Sequence, residues 1–281
     1  MEEDGSDDKI IMIRNTFKAL ADLLLPRKCI VCGEKLTLEE EHLCRWCRDD
    51  MPLTRFWQIR HNRMADKFNE KIQEGLEKRW KQSQESRTSG NADQCNALEE
   101  LVYAPLEKYA LATALFFFCE EGDYKRIPYR IKYEGDIRAG RHFGMVHGRH
   151  MSTAAWFQDI DVIIPVPLHW KRRWKRGYNQ AEIIAEGISE ALGVPIRTDI
   201  LKRRRNTRTQ ISLDIEGKAA NVAGAFIATK AIDDSHIGHI LLVDDVFTTG
   251  STLHACFTAL REVFPTRVRI SIATLAFVGR F

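Results

Sequence analysis

The stretch HILLVDDVFTTGST, residues 239–252, joins a strand-like apolar run to a loop of small residues. The run ends at two aspartates, Asp244 and Asp245. In open α/β sheets, ligands bind beyond the carboxyl ends of the strands. Two adjacent carboxylates there can accept hydrogen bonds from neighbouring hydroxyls, as on a ribose ring. Both aspartates are therefore candidate catalytic and sugar-binding residues.

The loop after the aspartates opens a predicted helix and suits the approach of an anion. Backbone N–H groups at a helix N-terminus, together with hydroxyls, can converge on a phosphate. Gly250 lets the backbone come close to such a group. The candidate phosphate-binding residues are Thr248, Thr249, Gly250, Ser251 and Thr252. The simpler alternative is a helix N-cap and a turn beside two solvated acids.

Strand and helix patterns alternate from about residue 100 onward. Residues 161–167 (DVIIPVP) and 239–245 predict buried strands, and 267–275 (RVRISIATL) predicts a strand with one exposed face. Residues 178–192 and 250–263 predict helices, the first with Ala181, Ile184, Ile188 and Leu192 facing inward. Strands separated by helices predict an α/β fold with a parallel sheet flanked by helices.

Composition and charge are those of an ordinary globular chain with one basic zone. Of the 281 residues, 44% are hydrophobic and 29% charged, and the net charge is +3. Residues 161–210 hold eleven Lys/Arg against five Asp/Glu, which favours a phosphate or nucleic-acid site. The acidic N-terminus lacks the features of a secretion signal. The longest apolar run, Ala110–Cys119, is too short to span a membrane, so we expect a cytoplasmic protein.

Four of the seven cysteines form two CxxC pairs with eleven residues between them: Cys29, Cys32, Cys44 and Cys47. Two such knuckles can close a tetrahedral thiolate site around a structural zinc ion. The alternatives are four unrelated thiols or two disulfides, and His42 is a weaker candidate ligand. Cys95, Cys119 and Cys256 are expected to be ordinary thiols, the last two buried. Such a module is expected to serve as a docking surface.

The chain divides into four predicted segments. Residues 1–25 contain an amphipathic helix, 26–56 the zinc module, 57–99 a helix and polar linker, and 100–281 the α/β domain. In the third segment Met64, Phe68, Ile72, Leu76 and Trp80 recur at steps of four and predict a helix over 64–80. The polar stretch 81–97 predicts a flexible linker.

Two basic clusters have three open interpretations: contacts to pyrophosphate, a single-stranded nucleic-acid track, or a solvated loop. In the first cluster Trp170, Trp174 and Tyr178 could stack on bases. In the second, 202–210, the neighbouring residues predict a loop that could close over a ligand. The candidate cations are Lys171, Arg172, Arg173, Arg176, Lys202, Arg203, Arg205 and, in the segment KYEGD (132–136), Lys132.

Other catalytic patterns are absent from the sequence. No Ser/His/Asp triad or Walker loop stands out. His142, His147 and His150 are close in sequence but lack partner carboxylates, so we expect surface positions.

LLVDDVFTTGST resembles the phosphoribosyl-pyrophosphate (PRPP) motif of type I phosphoribosyltransferases. The chain as a whole resembles the ComF family, which joins a CxxC module to such a domain. The further matching segments are KYEGD (132–136), PVPLHWKRRWKRGYNQAE (165–182), RNTRTQ (205–210) and NVAGAF (221–226).

This resemblance implies a type I phosphoribosyltransferase-like fold that binds PRPP with Mg²⁺. In the wider superfamily a nitrogen nucleophile displaces pyrophosphate, although some members bind PRPP only to regulate. Asp244 and Asp245 would hold the ribose, the loop 248–252 the 5′-phosphate, and Pro167, Leu168 and Arg176 the pyrophosphate. The ComF resemblance also implies a link to natural competence, with single-stranded DNA and a DNA-uptake or helicase protein as expected partners. A non-catalytic DNA-binding role is the alternative.

Overall fold

The computed structural model describes residues 26–88, 107–204, 224–229 and 236–279. Its strands are β1 (Ala112–Phe118), β2 (Val162–Pro165), β3 (Leu201–Arg203), β4 (Phe226–Ala228), β5 (His239–Phe247) and β6 (Arg269–Val278). Within these ranges the main sheet has the order β1-β6-β5-β2 with every pairing parallel, and β3 and β4 form an antiparallel pair. The predicted parallel α/β sheet is confirmed.

Strand β6 differs from the prediction of one exposed face. It lies between β1 and β5, and its residues from Ile270 to Phe277 are buried on both faces. The alternation at its start arises because Arg269 lies at the sheet rim and Ser271 hydrogen-bonds to His239 inside the sheet. An interior strand covered by helices on both sides cannot present a face to water.

Helices cover both faces of the sheet. They are α1 (Arg45–Asp49), α2 (Arg63–Thr88), α3 (Arg126–Tyr129), α4 (Ile137–Ser152), α5 (Trp170–Arg176), α6 (Gln180–Leu192) and α7 (Ser251–Arg261). A π-helical turn, Arg130–Glu134, follows α3, and 3₁₀ turns occupy Phe56–Gln58, Asp123–Lys125 and Ala155–Phe157. Helices α2 and α7 pack on one face, and α4 and α6 pack on the other.

Helix α2 is longer than the sequence predicts. It continues to Thr88, eight residues into the stretch predicted as a linker, because the polar residues there are mostly good helix formers without Gly or Pro. Of its apolar stripe, Met64 and Phe68 are fully buried, whereas Trp80 is 52% exposed. Steps of four drift away from the 3.6-residue helical repeat, so the far end of the stripe leaves the sheet.

Helices α4 and α6 approach each other closely, at positions where only glycine fits. A Cβ atom at Gly144 would lie 2.3 Å from the carbonyl oxygen of Ile184, and one at Gly187 would lie 2.0 Å from that of Arg141. The predicted inward residues of α6 are confirmed: Ala181, Ile184 and Ile188 are buried, and Leu192 packs at the edge of the cluster that contains Ile184 and Ile188.

The zinc module is built onto the sheet. Residues 52–54 run along the free edge of β1, where Phe117 N donates to Pro52 O (2.8 Å) and Thr54 N donates to Leu115 O (3.1 Å). The Tyr124 hydroxyl donates to Cys47 O (2.8 Å), and Arg126 donates to Val31 O (2.6 Å). Cys29 and Cys44 belong to the same buried cluster as Phe116 and Phe143. Much of the module's surface is therefore already occupied by its own chain.

Several sequence predictions fall outside the described residues. These are the amphipathic helix of 1–25, most of the linker, Cys95, and the segment from Arg205 to 223 with its predicted closing loop. The division into four segments stays a prediction. None of the helices in the described ranges combines the length and hydropathy needed to cross a bilayer.

Candidate functional site

Strand β5 brings both aspartates to the rim of the sheet. Its partner β2 pairs only as far as Val243, so Asp244 and Asp245 extend beyond the end of that neighbour. Successive side chains of a strand point to opposite faces. Asp245 contacts Lys132 on the α4–α6 face, whereas Asp244 lies towards Arg203 and Cys256 on the α7 face. Their carboxylates still interact electrostatically, because the charge of Asp245 helps to raise the pKa of Asp244.

Lys132 supplies a cation at the carboxylate pair. Its Nζ lies 2.9 Å from Asp245 Oδ2, and both side chains are largely buried. Burial disfavours the ammonium charge, but the carboxylates of Asp245 and Asp244 outweigh it and raise the pKa of Lys132. The π-helical turn that carries Lys132 ends at Gly135, and the Tyr178 hydroxyl donates to Ile131 O within it. The site thus contains a positive charge fixed by the fold.

The environment of Asp244 favours its protonated form. Burial and the neighbouring charge of Asp245 raise its pKa from the ordinary 3.8 to about 7, although Lys132 and Arg203 act in the opposite direction. One of its oxygens accepts a hydrogen bond from Asp245 N at 2.9 Å. A carboxyl group with so high a pKa marks a position where a bound cation would be stabilising.

The loop after β5 forms the N-terminus of α7 as the sequence predicts. Thr249 Oγ1 and Ser251 Oγ lie 3.0 Å apart, and His254 N donates to Gly250 O at 2.8 Å. Gly250 has φ +74°, and a Cβ atom there would lie 2.7 Å from the ring of Phe247. The turn therefore requires glycine for its backbone conformation and also for space.

We expect Gly250→Ala to lower the free energy of unfolding by about 2 kcal/mol, combining a left-handed backbone with a steric clash. Gly193→Ala is the matched control, because Gly193 has φ +69° with open space around its Cβ position. Chemical denaturation of both variants measures the difference. Equal losses for the two variants would show that Phe247 does not restrict the loop.

Lys67 is a site residue that sequence reasoning missed. Its Nζ donates to Thr248 O at 2.9 Å and lies 5.9 Å from the centre of the Phe247 ring. Lys67 is 181 residues away from Thr248 in the chain and lies on the exposed side of α2. No local pattern distinguishes it from other surface lysines, so only the packing of α2 reveals its position.

The basic run 171–176 forms helix α5, which leads from the end of β2 toward the site. Arg172 and Arg176 are half-buried, and Arg176 stacks on the Tyr133 ring at 5.3 Å. Burial and the nearby charge of Arg172 lower the pKa of Arg203. Arg203 in turn acts on the carboxyl group of Asp244, so it supplies a cation on that side of the site.

The other predicted cations and loop residues divide by position. Pro167 and Leu168 leave the sheet directly after Val166, whose N–H donates to Val243 O beside Asp244 (2.8 Å). Lys171, Arg173 and Lys202 are exposed, and Arg173 pairs with Glu182 at 2.8 Å. Such an exposed pair contributes little stability. Arg205 lies outside the described residues.

A buried Ser/His/Asp hydrogen-bond network, which does not stand out in the sequence, lies at the opposite rim of the sheet. His239 joins Ser271 Oγ (2.7 Å) to Asp159 Oδ1 (2.8 Å), and Arg269 also contacts Asp159. The sequence could not reveal this network, because His239 lies 32 residues from Ser271 and 80 residues from Asp159. His239 and Ser271 are each only 1% exposed, so a substrate cannot reach the hydroxyl. These hydrogen bonds link β5 to β6 and to the segment before β2.

The four cysteines of the zinc module converge as predicted. Their sulfur atoms all lie within 4.8 Å of one another, and Cys32 Sγ is 3.7 Å from Cys44 Sγ. A tetrahedron with zinc–sulfur bonds of about 2.3 Å has edges of about 3.8 Å, so the cluster fits zinc. Burial raises the pKa of Cys29, but surrounding backbone N–H groups outweigh it and lower the pKa to about 7. The ion would cross-link the two knuckles.

Several predicted positions of thiols and histidines are wrong. Cys119 is exposed because β1 ends at Phe118, whereas Cys256 is buried as predicted. His147 is fully buried beside Thr113, with Oγ1 3.2 Å from its Nε2. His150 stacks on Trp57. Proximity in sequence does not report burial on a helix, where every third or fourth residue returns to the core face.

Comparison with known families agrees with this architecture. The phosphoribosyl transferase domain model matches residues 178–280, and the double zinc ribbon domain model matches residues 20–57. The chain therefore resembles a zinc ribbon followed by a phosphoribosyltransferase domain, and the structure brings the four cysteines of the ribbon together.

The similar curated proteins are competence proteins and their relatives. The chain is 39% identical to competence protein F of Haemophilus influenzae over 103 residues, 37% of this chain and 45% of the relative. It is 33% identical to competence protein ComFC of Bacillus subtilis over 103 residues, 36% and 38% of the two chains. DNA utilization protein YhgH of Escherichia coli K12 is 33% identical over 104 residues, 37% and 44%. The chain thus spans less than half the length of these relatives, and its resemblance to the ComF family is confirmed.

Proposed function

We propose that the chain binds PRPP together with Mg²⁺ at the C-terminal rim of the sheet. The observation that carries this proposal is the position of Asp244 and Asp245 near the end of β5, shortly before the Gly250 turn at the N-terminus of α7. The carboxylates accept hydrogen bonds from the ribose hydroxyls, and the N–H groups of the loop 248–252 bind the 5′-phosphate.

The residues around Asp244 suit a heavily anionic leaving group. Lys132 and Arg203 lie at the acids, Arg172 lies near Arg203, and Pro167 and Leu168 follow the strand end beside Asp244. Fixed cations that face developing negative charge lower the barrier to departure of pyrophosphate. Mg²⁺ is held in proteins by one or two carboxylates plus substrate phosphates, so the aspartate pair fits it. When bound, the ion offsets the charge of the pyrophosphate.

Turnover is tested by release of pyrophosphate. The full chain is incubated with PRPP, Mg²⁺ and a panel of nitrogen nucleophiles, because a nitrogen acceptor is the class that the resemblance implies. Release that depends on the acceptor supports a transferase. Binding of PRPP without release under any acceptor supports a regulatory or binding role for the same site.

We expect the affinity for PRPP with Mg²⁺ to rise with pH up to about 7, the pKa of Asp244. Below that pH its carboxyl group is protonated and cannot hold a cation. The stability of the ligand-free protein changes with pH in the opposite direction. Between pH 3.8 and about 7, Asp244 keeps a proton in the native state that it releases in the unfolded chain. Rising pH therefore lowers the free energy of unfolding in this range. One ionisation limits the change in affinity to about tenfold per pH unit.

Calorimetry between about pH 6 and 8 measures this dependence, with Asp244→Asn as the control that cannot ionise. The phosphate groups of PRPP also titrate, and their contribution appears in both proteins. A pH slope that persists unchanged in Asp244→Asn would assign the effect to PRPP and contradict the role of Asp244.

A second function, binding of single-stranded DNA, is supported by exposed aromatic rings beside cations. Trp174 is 88% exposed, Trp170 is 66% exposed, and Lys171 lies over the Trp170 ring at 5.4 Å. Tyr129 and Tyr133 are also exposed, with ring centres 5.0 Å apart. Stacking platforms among phosphate-binding cations are typical of single-strand binding surfaces. Together with relatives named for competence and for DNA utilization, this surface supports a role in handling DNA.

We expect Trp174→Ala to weaken binding of an oligothymidylate by about 5- to 150-fold, because stacking contributes roughly 1–3 kcal/mol per base. Trp46→Ala is the matched control, since Trp46 is 83% exposed on the zinc ribbon, away from α5. Fluorescence anisotropy at several salt concentrations measures both variants. If the affinity for the oligothymidylate neither falls with salt nor depends on Trp174, the proposal that this surface binds DNA is wrong.

A further inference from the structure

Three metal-ligating side chains meet at the junction of the zinc ribbon and helix α4. They are Glu41 and His42, between the two cysteine knuckles, and His142 on α4. One ligand atom from each lies within 4.8 Å of the other two. The two imidazole rings have centres 4.8 Å apart and are tilted by 55°. This group is separate from the four sulfur atoms and from the aspartate pair.

The spacing of these atoms suits a shared ion better than a direct contact. His142 Nδ1 lies 3.7 Å from Glu41 Oε2, which is too long for a hydrogen bond. Two ligand atoms on one tetrahedral ion, with bonds of about 2.0–2.1 Å, lie roughly 3.3 Å apart. A small rotation of the exposed Glu41 side chain closes that difference.

The fold holds the three side chains in place from two directions. The backbone of His42 is fixed to the first knuckle, because Ile30 N donates to His42 O at 3.0 Å. His142 is held by α4, where the neighbouring Phe143 is buried and touches both histidine rings. The nearby Arg130 is balanced by Glu134 at 3.3 Å and Asp136 at 3.2 Å. A bound cation therefore does not face an unpaired arginine there.

We propose that Glu41, His42 and His142 form a second metal site, which binds one divalent transition-metal ion with an open fourth position. Two imidazoles and one carboxylate favour Zn²⁺, Co²⁺, Ni²⁺ or Cu²⁺ over Mg²⁺ or Ca²⁺. Because the ligands come from both sides of the junction, the ion fastens the ribbon loop to α4. It is exchangeable, in contrast to the ion held by four thiolates.

Cobalt titration of the full chain, with zinc already in the ribbon and loosely held metal removed on a chelating resin, tests the proposal. We expect one equivalent of Co²⁺ to bind with visible d–d absorption and without a thiolate charge-transfer band. Glu41→Gln and His142→Gln are each expected to lower the Co²⁺ affinity by at least about 10- to 100-fold. His236→Gln, an exposed histidine outside the cluster, is the matched control.

Two results would overturn the second site. One is a wild-type protein that takes up no Co²⁺ beyond the ribbon, or shows a thiolate band on titration. The other is unchanged Co²⁺ affinity in both Glu41→Gln and His142→Gln. Glu41 is 65% exposed, so its substitution leaves the fold intact even if His142→Gln is unstable.

Discussion

Replacing both aspartates by asparagine, Asp244→Asn with Asp245→Asn, is expected to abolish measurable binding of PRPP. The variant keeps the shape of both side chains but loses the charges that accept hydrogen bonds from ribose and hold Mg²⁺. Hydrogen bonds to charged groups contribute about 1.5–3 kcal/mol each, so losing two lowers affinity by at least about 100-fold. Titration calorimetry in the presence of Mg²⁺ measures the loss.

Folding must be separated from binding in this variant, because Lys132 loses the partner that lies 2.9 Å away. The partly buried ammonium would then be unpaired, which destabilises the native state. Lys132→Met combined with the double substitution removes that charge and restores a neutral site. Glu262→Gln, at the opposite end of α7, is the control for loss of an exposed carboxylate. Wild-type affinity in a folded double variant would refute the site.

Removing two of the zinc ligands, by Cys29→Ser with Cys44→Ser, is expected to release tightly held zinc and to destabilise the whole domain. Both side chains lie in the buried cluster that contains Phe116 of β1 and Phe143 of α4. Structural zinc contributes about 10–16 kcal/mol in zinc-finger peptides, comparable with the whole stability of a domain. We therefore expect the melting temperature to fall by about 10 °C or more.

Metal analysis and thermal denaturation measure the two effects, and Cys119→Ser is the control because Cys119 is an exposed thiol outside the cluster. If the zinc ribbon did not share a core with the sheet domain, the double variant would lose zinc but keep the melting temperature of the sheet domain. That result would contradict the shared core.

The sequence predicts the sheet because its signals there are local. Apolar runs at 161–167 and 239–245, and the turn at Gly250, depend on residues close together in the chain. The CxxC pairs are likewise local, and their convergence is confirmed. Burial of β6 on both faces could not be predicted, because it depends on the strands that flank it.

Contacts between distant segments account for what the sequence misses. Lys67 reaches Thr248 across 181 residues, and the group Glu41–His42–His142 spans two modules. Lys132 lies outside both basic clusters of the sequence, yet its contact with Asp245 brings it to the centre of the site. Periodicity reports which face of an element is buried, but it does not report which elements meet.

The most direct test of the account is a crystal structure of the protein grown with PRPP and Mg²⁺. We predict the ribose against the carboxylates of Asp244 and Asp245, and the 5′-phosphate on the backbone N–H groups of residues 249–252. The pyrophosphate is expected beside Arg172 and Arg203. Ligand density at another location, or a 5′-phosphate directed away from the Gly250 turn, would contradict the assignment of this rim as the PRPP site.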